Sequence, residues 1–216
     1  MKYIKIGSID IKASEPKFWR NQYKKELPHW MSDKNPSKFA KRFVKDMKDN
    51  NLDKGNILEI GIGNGRDSIF FSKQGFKVKG IDIDKKPVEV SRKRKGKLPI
   101  EFNQMDAEKL KFLDEEFDGV YSLSVLHSTD VSKSFGEVKR VLKLNGIFLS
   151  FLYYLTSDSN GKSIDNHVPL SKILKTVEDL NFEILDLYID LKKEEVDDEH
   201  GVPHTHSSVI LFLKKK

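Results

Sequence analysis

Cysteine is absent from this chain of 216 residues, and that absence limits its chemistry before any motif is considered. Disulfide bonds, thiolate nucleophiles, cysteine-ligated zinc and iron–sulfur clusters are all excluded. Long apolar runs are also missing, since no stretch approaches the roughly 18 residues of a membrane-spanning helix. The first residues, MKYIKIGSIDIK, lack the continuous apolar segment of a signal peptide. We therefore expect a cytoplasmic protein with no membrane partner.

Arginine is scarce, because 33 of the 39 basic residues are lysine and the net charge is +6. Proteins that bind specific nucleic-acid sequences favour arginine for bidentate contacts. The excess of lysine therefore indicates a role in solubility more than in nucleic-acid binding. The densest basic segment, residues 85–97, holds seven Lys or Arg residues on a predicted helix. We interpret it as a solvated helix face, with an RNA or phosphate patch as the alternative.

Strand and helix patterns alternate from residue 56 onward, which predicts a parallel α/β sheet covered by helices on both faces. The polar stretch 192–205 carries no helix signal, so the last two strands are predicted to pair antiparallel. The expected sheet is seven-stranded, mostly parallel, with an antiparallel last strand. Predicted strands are 56–61, 77–83, 100–103, 117–124, 145–154, 182–191 and 206–213, and predicted helices are 65–74, 86–95, 130–143 and 169–180.

The first 52 residues are predicted to form a helical appendage to a domain that spans residues 53–216. Asn35-Pro36 indicates a helix start, with Asn as the cap and Pro at the first helical position. Phe39, Phe43 and Met47 then recur every four residues and form one apolar stripe.

A glycine-rich loop follows the first strand of the predicted sheet, with Gly61, Gly63 and Gly65 at alternate positions. Glycine lets the backbone turn sharply and approach a ligand closely. Asp82 ends the next apolar run, where a strand–loop–helix–strand unit places a ribose-binding carboxylate. The loop therefore predicts a nucleoside-containing cofactor. A dinucleotide fingerprint would need glycine at position 66, which is Arg66.

The segment Glu59-x-Gly61-x-Gly63-x-Gly65 resembles motif I of the class I S-adenosylmethionine-dependent methyltransferases. Residues 103–110 (NQMDAEKL) resemble that family's G-D-A-x-x-L motif, and residues 117–127 resemble its F-D-x-V-x-x-x-x-V-L-H motif. Residues 140–146 resemble R-V-L-K-P-G-G, with Leu and Asn in place of Pro and the first Gly. The resemblance implies the class I Rossmann-like fold and S-adenosyl-L-methionine as the cofactor.

Roles for single residues follow from the same resemblance. Glu59 would orient the region around the methionine moiety, Asp82 would hold the ribose hydroxyls, and Asp106 would accept from the adenine amino group. Ala107 would supply a backbone amide, and Ser122 with Leu123 would line the floor below the methyl group. The cofactor-binding set is completed by Gly61, Ile62, Gly63, Gly65 and Ile83.

Candidate catalytic residues lie where ligands bind in an open parallel sheet, beyond the carboxyl ends of the strands. His127 is a candidate base or a wall residue, and Tyr153 and Tyr154 should point to opposite faces of one strand. His204 and His206 share a face if this segment is extended. The simplest interpretation of residues 200–206 is a solvated loop, and no metal site is assigned. Metal ligation with a carboxylate from residues 195–199, or a role in substrate binding or proton transfer, remains an alternative.

The aromatic segment before the first helix is similar to the leading segment of thiopurine- and tellurite-type methyltransferases. That similarity implies a lid in which Tyr23 and Trp30 lie against the cofactor, with plain core packing as the alternative. The expected function is methyl transfer to a small-molecule O, N or S acceptor by a monomer or homodimer. Ser122-Leu-Ser-Val replaces the D/N-P-P-Y motif, which disfavours methylation of planar amino groups. An RNA or protein methyltransferase, or a non-catalytic cofactor- or metal-binding module, is the alternative.

Overall fold

A computed structural model describes residues 4–6, 9–11, 29–164, 167–194 and 201–216, with side chains from Met31 onward. Two short strands form an antiparallel hairpin that the sequence analysis did not predict, β1 (Ile4–Ile6) and β2 (Ile9–Ile11). The remaining strands form one sheet: β3 (Asn56–Ile60), β4 (Lys77–Asp82), β5 (Ile100–Gln104), β6 (Phe117–Leu123), β7 (Leu142–Asp158), β8 (Phe182–Glu194) and β9 (His204–Lys215).

The sheet has seven strands in the order β5-β4-β3-β6-β7-β9-β8. β3, β4, β5, β6 and β7 pair in parallel, whereas β9 pairs antiparallel with both β7 and β8. β8 therefore runs in the same direction as the first five strands. The prediction of a mostly parallel sheet with an antiparallel last strand is confirmed.

Among the described residues, five α-helices cover the two faces of the sheet: α1 (Lys38–Asp49), α2 (Arg66–Lys73), α3 (Lys85–Arg94), α4 (Val131–Val141) and α5 (Leu170–Asp179). One apolar core joins α4 and α5 to side chains such as Leu58 and Val120. The other core joins α1, α2 and α3 to Ile57 and Tyr121, the neighbours of those residues in sequence. Alternate residues of each strand thus face opposite cores, as pleated geometry requires.

The start of α1 differs from the prediction by two residues. Ser37 is the N-cap, and its hydroxyl accepts a hydrogen bond from the Ala40 amide (2.9 Å). The Asn35-Pro36 pair lies before the helix instead of beginning it, because the serine hydroxyl satisfies the free amide. Asp130 caps α4 as predicted. In the described part of the chain, no helix is long and apolar enough to cross a membrane.

Strands β7, β8 and β9 are longer than predicted, and the extra residues 155–158, 192–194 and 204–205 lie beyond the carboxyl end of β6. Leu123, the last residue of β6, pairs with Phe151, while β7 continues to Asp158. Thr156 pairs with His206, and Asp158 pairs with His204. The prediction placed His204 in a connecting segment, which was wrong because this end of the hairpin is polar and shows no apolar alternation.

Candidate cofactor and acceptor site

The glycine loop is held between β4 and the segment that follows β6. The amides of Gly61 and Ile62 donate to the carbonyl oxygen of Ile81, at 2.8 and 3.2 Å. Gly61 has φ +79°, and a Cβ at this position would stand 2.0 Å from Cγ2 of Val125. Only glycine fits this approach without displacing the neighbouring strand end.

Asp82 lies against the glycine loop at the carboxyl end of β4. Its carboxylate accepts from the amide of Gly63 (3.3 Å) and from the amide of Asp84 (3.1 Å). Burial raises the pKa of Asp82 to about 7, although these backbone amides favour the ionised form. The structure therefore brings the predicted ribose carboxylate and the glycine loop together.

Glu59 is buried directly beneath the loop. Its carboxyl group accepts a hydrogen bond from the Ser68 hydroxyl of α2. Burial raises the pKa of Glu59 well above its usual range, and the nearby charge of Asp67 adds to that shift. Glu59 therefore ties β3 to the helix that begins at the glycine loop.

Asp67 completes a buried polar group that the sequence analysis missed. Its two carboxylate oxygens accept from the Ser37 amide (2.8 Å) and the Tyr121 hydroxyl (3.1 Å). Ser37 and Tyr121 are also joined through their hydroxyl oxygens at 2.8 Å. Burial raises the pKa of Asp67. These contacts span up to 84 residues of sequence, so no local motif indicates them.

The predicted adenine-binding residues follow β5 and adjoin the ribose side. The Met105 amide donates to the backbone oxygen of Asp82 (2.9 Å), and the Gln104 side chain donates to that of Ile83 (3.1 Å). Asp106 is exposed and accepts from the Glu108 amide (2.9 Å), whereas Ala107 is buried.

The predicted floor of the site is a left-handed turn at the end of β6. Ser124 has φ +57°, an uncommon conformation for a residue with a side chain. Its amide donates to the backbone oxygen of Phe151 (3.1 Å). The turn leads into a 3₁₀ helix, Leu126–Ser128, that carries His127. The buried hydroxyl of Ser122 has no hydrogen-bond partner among the residues that the structure describes.

The four predicted catalytic side chains form one continuous row of rings, which we call the ring row. The ring centroids are 5.2 Å apart for His127 and Tyr153, 4.8 Å for Tyr153 and His206, and 4.7 Å for His206 and His204. Tyr154 packs in the opposite core, so the two tyrosines face opposite sides of β7 as expected.

Two further residues join the ring row and were missed by the sequence analysis. The His167 ring lies 5.5 Å from that of His127, and its Nε2 lies 2.9 Å from the Thr156 hydroxyl. The same hydroxyl lies 3.0 Å from Nδ1 of His206. His167 belongs to the connection between β7 and α5, which carries no family motif.

The glycine loop also anchors the segment that precedes α1. The Asn64 side-chain amide donates to the backbone oxygens of Met31 and Asp33, both at 2.7 Å. Arg66 donates to the Asp33 carboxylate at 2.6 Å. Tyr23 and the side chain of Trp30 lie outside the described residues, so the predicted lid contacts stay predictions.

Much of the basic segment 85–97 is committed to the domain itself. Arg92 donates to the Phe102 carbonyl oxygen, and Arg94 donates to that of Asn64. Lys95 donates to the Leu98 carbonyl oxygen. These contacts favour a structural and solvated helix over a nucleic-acid surface.

Comparison with known proteins agrees with this geometry. Residues 58–150 match the family model described as a methyltransferase domain. The chain is 35% identical over 133 residues to the ribosomal protein L11 methyltransferase of Dictyoglomus thermophilum, covering 61% of this chain and 40% of that protein. It is 33% identical over 111 residues to the ubiquinone biosynthesis O-methyltransferase of Pelagibacter ubique, covering 48% of this chain and 46% of that protein. The chain thus spans less than half the length of these curated relatives.

The fold comparison covers more of the chain. A solved S-adenosylmethionine-dependent methyltransferase from Methanosarcina mazei aligns with a TM-score of 0.61 and 21% identity, over 84% of this chain and 98% of that one. The matched family and the fold imply S-adenosylmethionine as the cofactor. Residues 58–150 therefore match a methyltransferase domain, and the chain has the Rossmann-like fold of solved S-adenosylmethionine-dependent methyltransferases.

Proposed function

We propose that the whole protein is an S-adenosylmethionine-dependent enzyme that transfers a methyl group to an O, N or S atom of a small molecule. The observation that supports this proposal is the ring row, which begins at His127, two residues after the Val125 side chain that faces Gly61 of the glycine loop. Aromatic and imidazole rings suit a planar or cationic acceptor.

Positioning is the main task of the protein in this reaction. The cofactor, when bound, supplies an activated methyl group, so the chain has to orient the acceptor for in-line attack. Asp82 and the glycine loop would hold the nucleoside end of the cofactor, and the turn at Ser124 would form the floor of the site below its methyl group. His127 and Tyr153 lie next to that turn, where a group that removes a proton from the acceptor is needed.

The segment before α1 is proposed to cover the bound cofactor, with Tyr23 and Trp30 on its inner side. The hydrogen bonds from Asn64 to the backbone of Met31 and Asp33 support this proposal, because they hold the segment that follows Trp30 against the glycine loop.

A protein acceptor is the second candidate. The relative from Dictyoglomus thermophilum is described by its action on a ribosomal protein, and this is the specific observation that favours it. An RNA acceptor is less favoured, because Arg92, Arg94 and Lys95 are already bonded to backbone oxygens.

Two measurements test the proposal. S-adenosylhomocysteine should bind saturably to ligand-free protein in a calorimetric titration, and absence of binding by folded protein would refute the cofactor assignment. Transfer of a labelled methyl group should then be screened against small molecules and against ribosomal proteins.

A matched pair of variants tests the acceptor side once an acceptor is found. Tyr153→Phe should lower kcat/KM for the acceptor without changing the affinity for S-adenosylhomocysteine. Tyr154→Phe, one residue along the same strand but in the opposite core, serves as the control and should leave both unchanged. Equal effects of the two substitutions would contradict the placement of the acceptor beside the ring row.

A further inference from the structure

Three metal-binding side chains converge at the far end of the β8–β9 hairpin. The Nε2 atoms of His204 and His206 lie 3.1 Å apart. Oε2 of Glu194 lies 3.5 Å from the first and 3.3 Å from the second. The three ligand atoms thus form a nearly equilateral triangle.

The size of this triangle matches one face of a tetrahedral metal site. Ligands that each lie about 2.0–2.1 Å from a tetrahedral Zn²⁺ ion stand about 3.3–3.4 Å from one another. The same bond lengths in an octahedral site give about 2.8–3.0 Å. The observed spacings of 3.1, 3.3 and 3.5 Å therefore favour four-coordinate geometry with one position left open.

The outer nitrogen atoms of both histidines are oriented by the protein. Nδ1 of His204 lies 2.9 Å from the carbonyl oxygen of Val202. A carbonyl oxygen only accepts, so this nitrogen carries the proton and Nε2 presents its lone pair to the triangle. Nδ1 of His206 lies 3.0 Å from the Thr156 hydroxyl, which can accept a hydrogen bond from that nitrogen while it donates to Nε2 of His167. Contacts of this kind fix the ring orientation of metal-ligating histidines.

The two oxygens of the Glu194 carboxylate have different partners, which fix its orientation as well. Its Oε1 pairs with Lys192, while Oε2 faces the two imidazoles. The register of the hairpin sets this arrangement, because Glu194 pairs directly with His204 and Lys192 pairs with His206. The His204 side chain is fully buried and that of His206 is 12% exposed. Three electron-pair donors held this close in a mostly buried position can bind one cation between them.

We propose that Glu194, His204 and His206 bind a divalent transition-metal ion, with Zn²⁺ as the ion that fits the triangle best. Two imidazoles and one carboxylate are a common ligand set for such ions. The ion stands on the acceptor side of the molecule, since only the Tyr153 ring separates His206 from His127. Its binding does not rest on the proposed methyl transfer, because it can be measured without turnover.

The test is a titration of tag-free, full-length protein that has been stripped of metal, with Zn²⁺ in competition with a chromophoric chelator. We expect one ion per chain. Glu194→Gln and His206→Gln each remove a direct ligand and should weaken binding about 100-fold or more, while Thr156→Val, which removes only the hydroxyl beside His206, should weaken it about 10-fold. Glu183→Gln is the matched control, because it removes an exposed carboxylate from the same strand, and should bind as the unchanged protein does.

A second readout does not depend on the variants. Co²⁺ in the same site of the unchanged protein should give the intense visible absorption of a four-coordinate ion, and Zn²⁺ should abolish it. Failure of folded, metal-free protein to take up Zn²⁺ at micromolar concentrations, or equal affinity in Glu194→Gln and Glu183→Gln, would overturn the proposal. S-adenosylhomocysteine should bind Glu194→Gln with unchanged affinity, so loss of the metal site and failure of the cofactor site are separate results.

Discussion

Replacement of Asp82 by Asn is the most direct probe of the cofactor site. The carboxylate is buried beside Gly63 and accepts from two backbone amides, which leaves further lone pairs for ribose hydroxyls. A hydrogen bond to a charged group contributes about 1.5–3 kcal/mol. Asparagine keeps one acceptor oxygen, so about one such bond is lost. We expect the affinity for S-adenosylhomocysteine to fall about 10- to 150-fold, measured by titration calorimetry.

The pH dependence of the same titration gives a sharper test. The pKa of Asp82 is about 7 because the group is buried, whereas bound hydroxyls would favour the ionised form. Binding should therefore release about half a proton at pH 7, and the affinity should rise about tenfold between pH 6 and pH 8. Calorimetry in two buffers of different ionisation enthalpy measures the released proton. Asp82→Asn should show neither the release nor the rise.

The stability of the ligand-free protein changes in the opposite direction. A carboxyl group whose pKa is raised from 3.8 to about 7 on folding contributes stability below pH 3.8 that is lost as the pH rises through 7. The shift of about three units corresponds to about 4 kcal/mol. Asp82→Asn lacks this loss. The free energy of unfolding of this variant, relative to that of the unchanged protein, should therefore rise between pH 4 and pH 8.

Glu101→Gln, an exposed substitution on β5, is the control for both measurements. If Asp82→Asn bound S-adenosylhomocysteine with the same affinity as this control at every pH, the ribose assignment would be refuted.

Three other substitutions test the surrounding framework by chemical denaturation. Gly61→Ala should abolish cofactor binding and lower the free energy of unfolding by several kcal/mol, since its Cβ would overlap Val125; normal binding would contradict the close approach. Gly136→Ala should raise the free energy of unfolding by about 0.5–1 kcal/mol, because this α4 position has open space around a new Cβ, and a loss would show a hidden clash. Tyr121→Phe should lower it by about 1–3 kcal/mol, because the buried Asp67 loses a donor; no change would mean that this hydrogen bond contributes nothing.

The sheet and the contact between Asp82 and the glycine loop were predictable because their signals are local. β3 (NILEI) ends directly before Gly61, and β4 (KVKGID) ends at Asp82. The parallel pairing of these strands then brings the two residues to one edge without further information. Asn145 adopts φ +64° near the start of β7, at a position where the family motif has glycine, and its tolerance of that conformation allows this.

The acceptor side was only partly predictable because its contacts depend on distant pairing. The i, i+2 spacing of His204 and His206 predicts a shared face, but the sequence does not say which strand lies beside them. Glu194 joins them only through the register of the hairpin. His167 enters through Thr156, on a connection without helical or strand periodicity. The full length of β8 and β9 was not predicted either, because their ends are polar and strand prediction relies on apolar alternation.

Strands β7, β8 and β9 extend past the end of β6. This extension explains why the family model covers the cofactor side of the candidate site but not the proposed acceptor side. β7 runs seven residues beyond Phe151, the partner of the last β6 residue, which is about 20 Å of extended chain. This extension forms a wall beyond the end of β6, where Val125 faces Gly61, and it carries Tyr153 and Thr156. The family match ends at residue 150, so the wall lies beyond the segment that the family model matches. If the acceptor binds against this wall, its identity has to be sought from the chemistry of the ring row and not from the names of relatives that match the cofactor half.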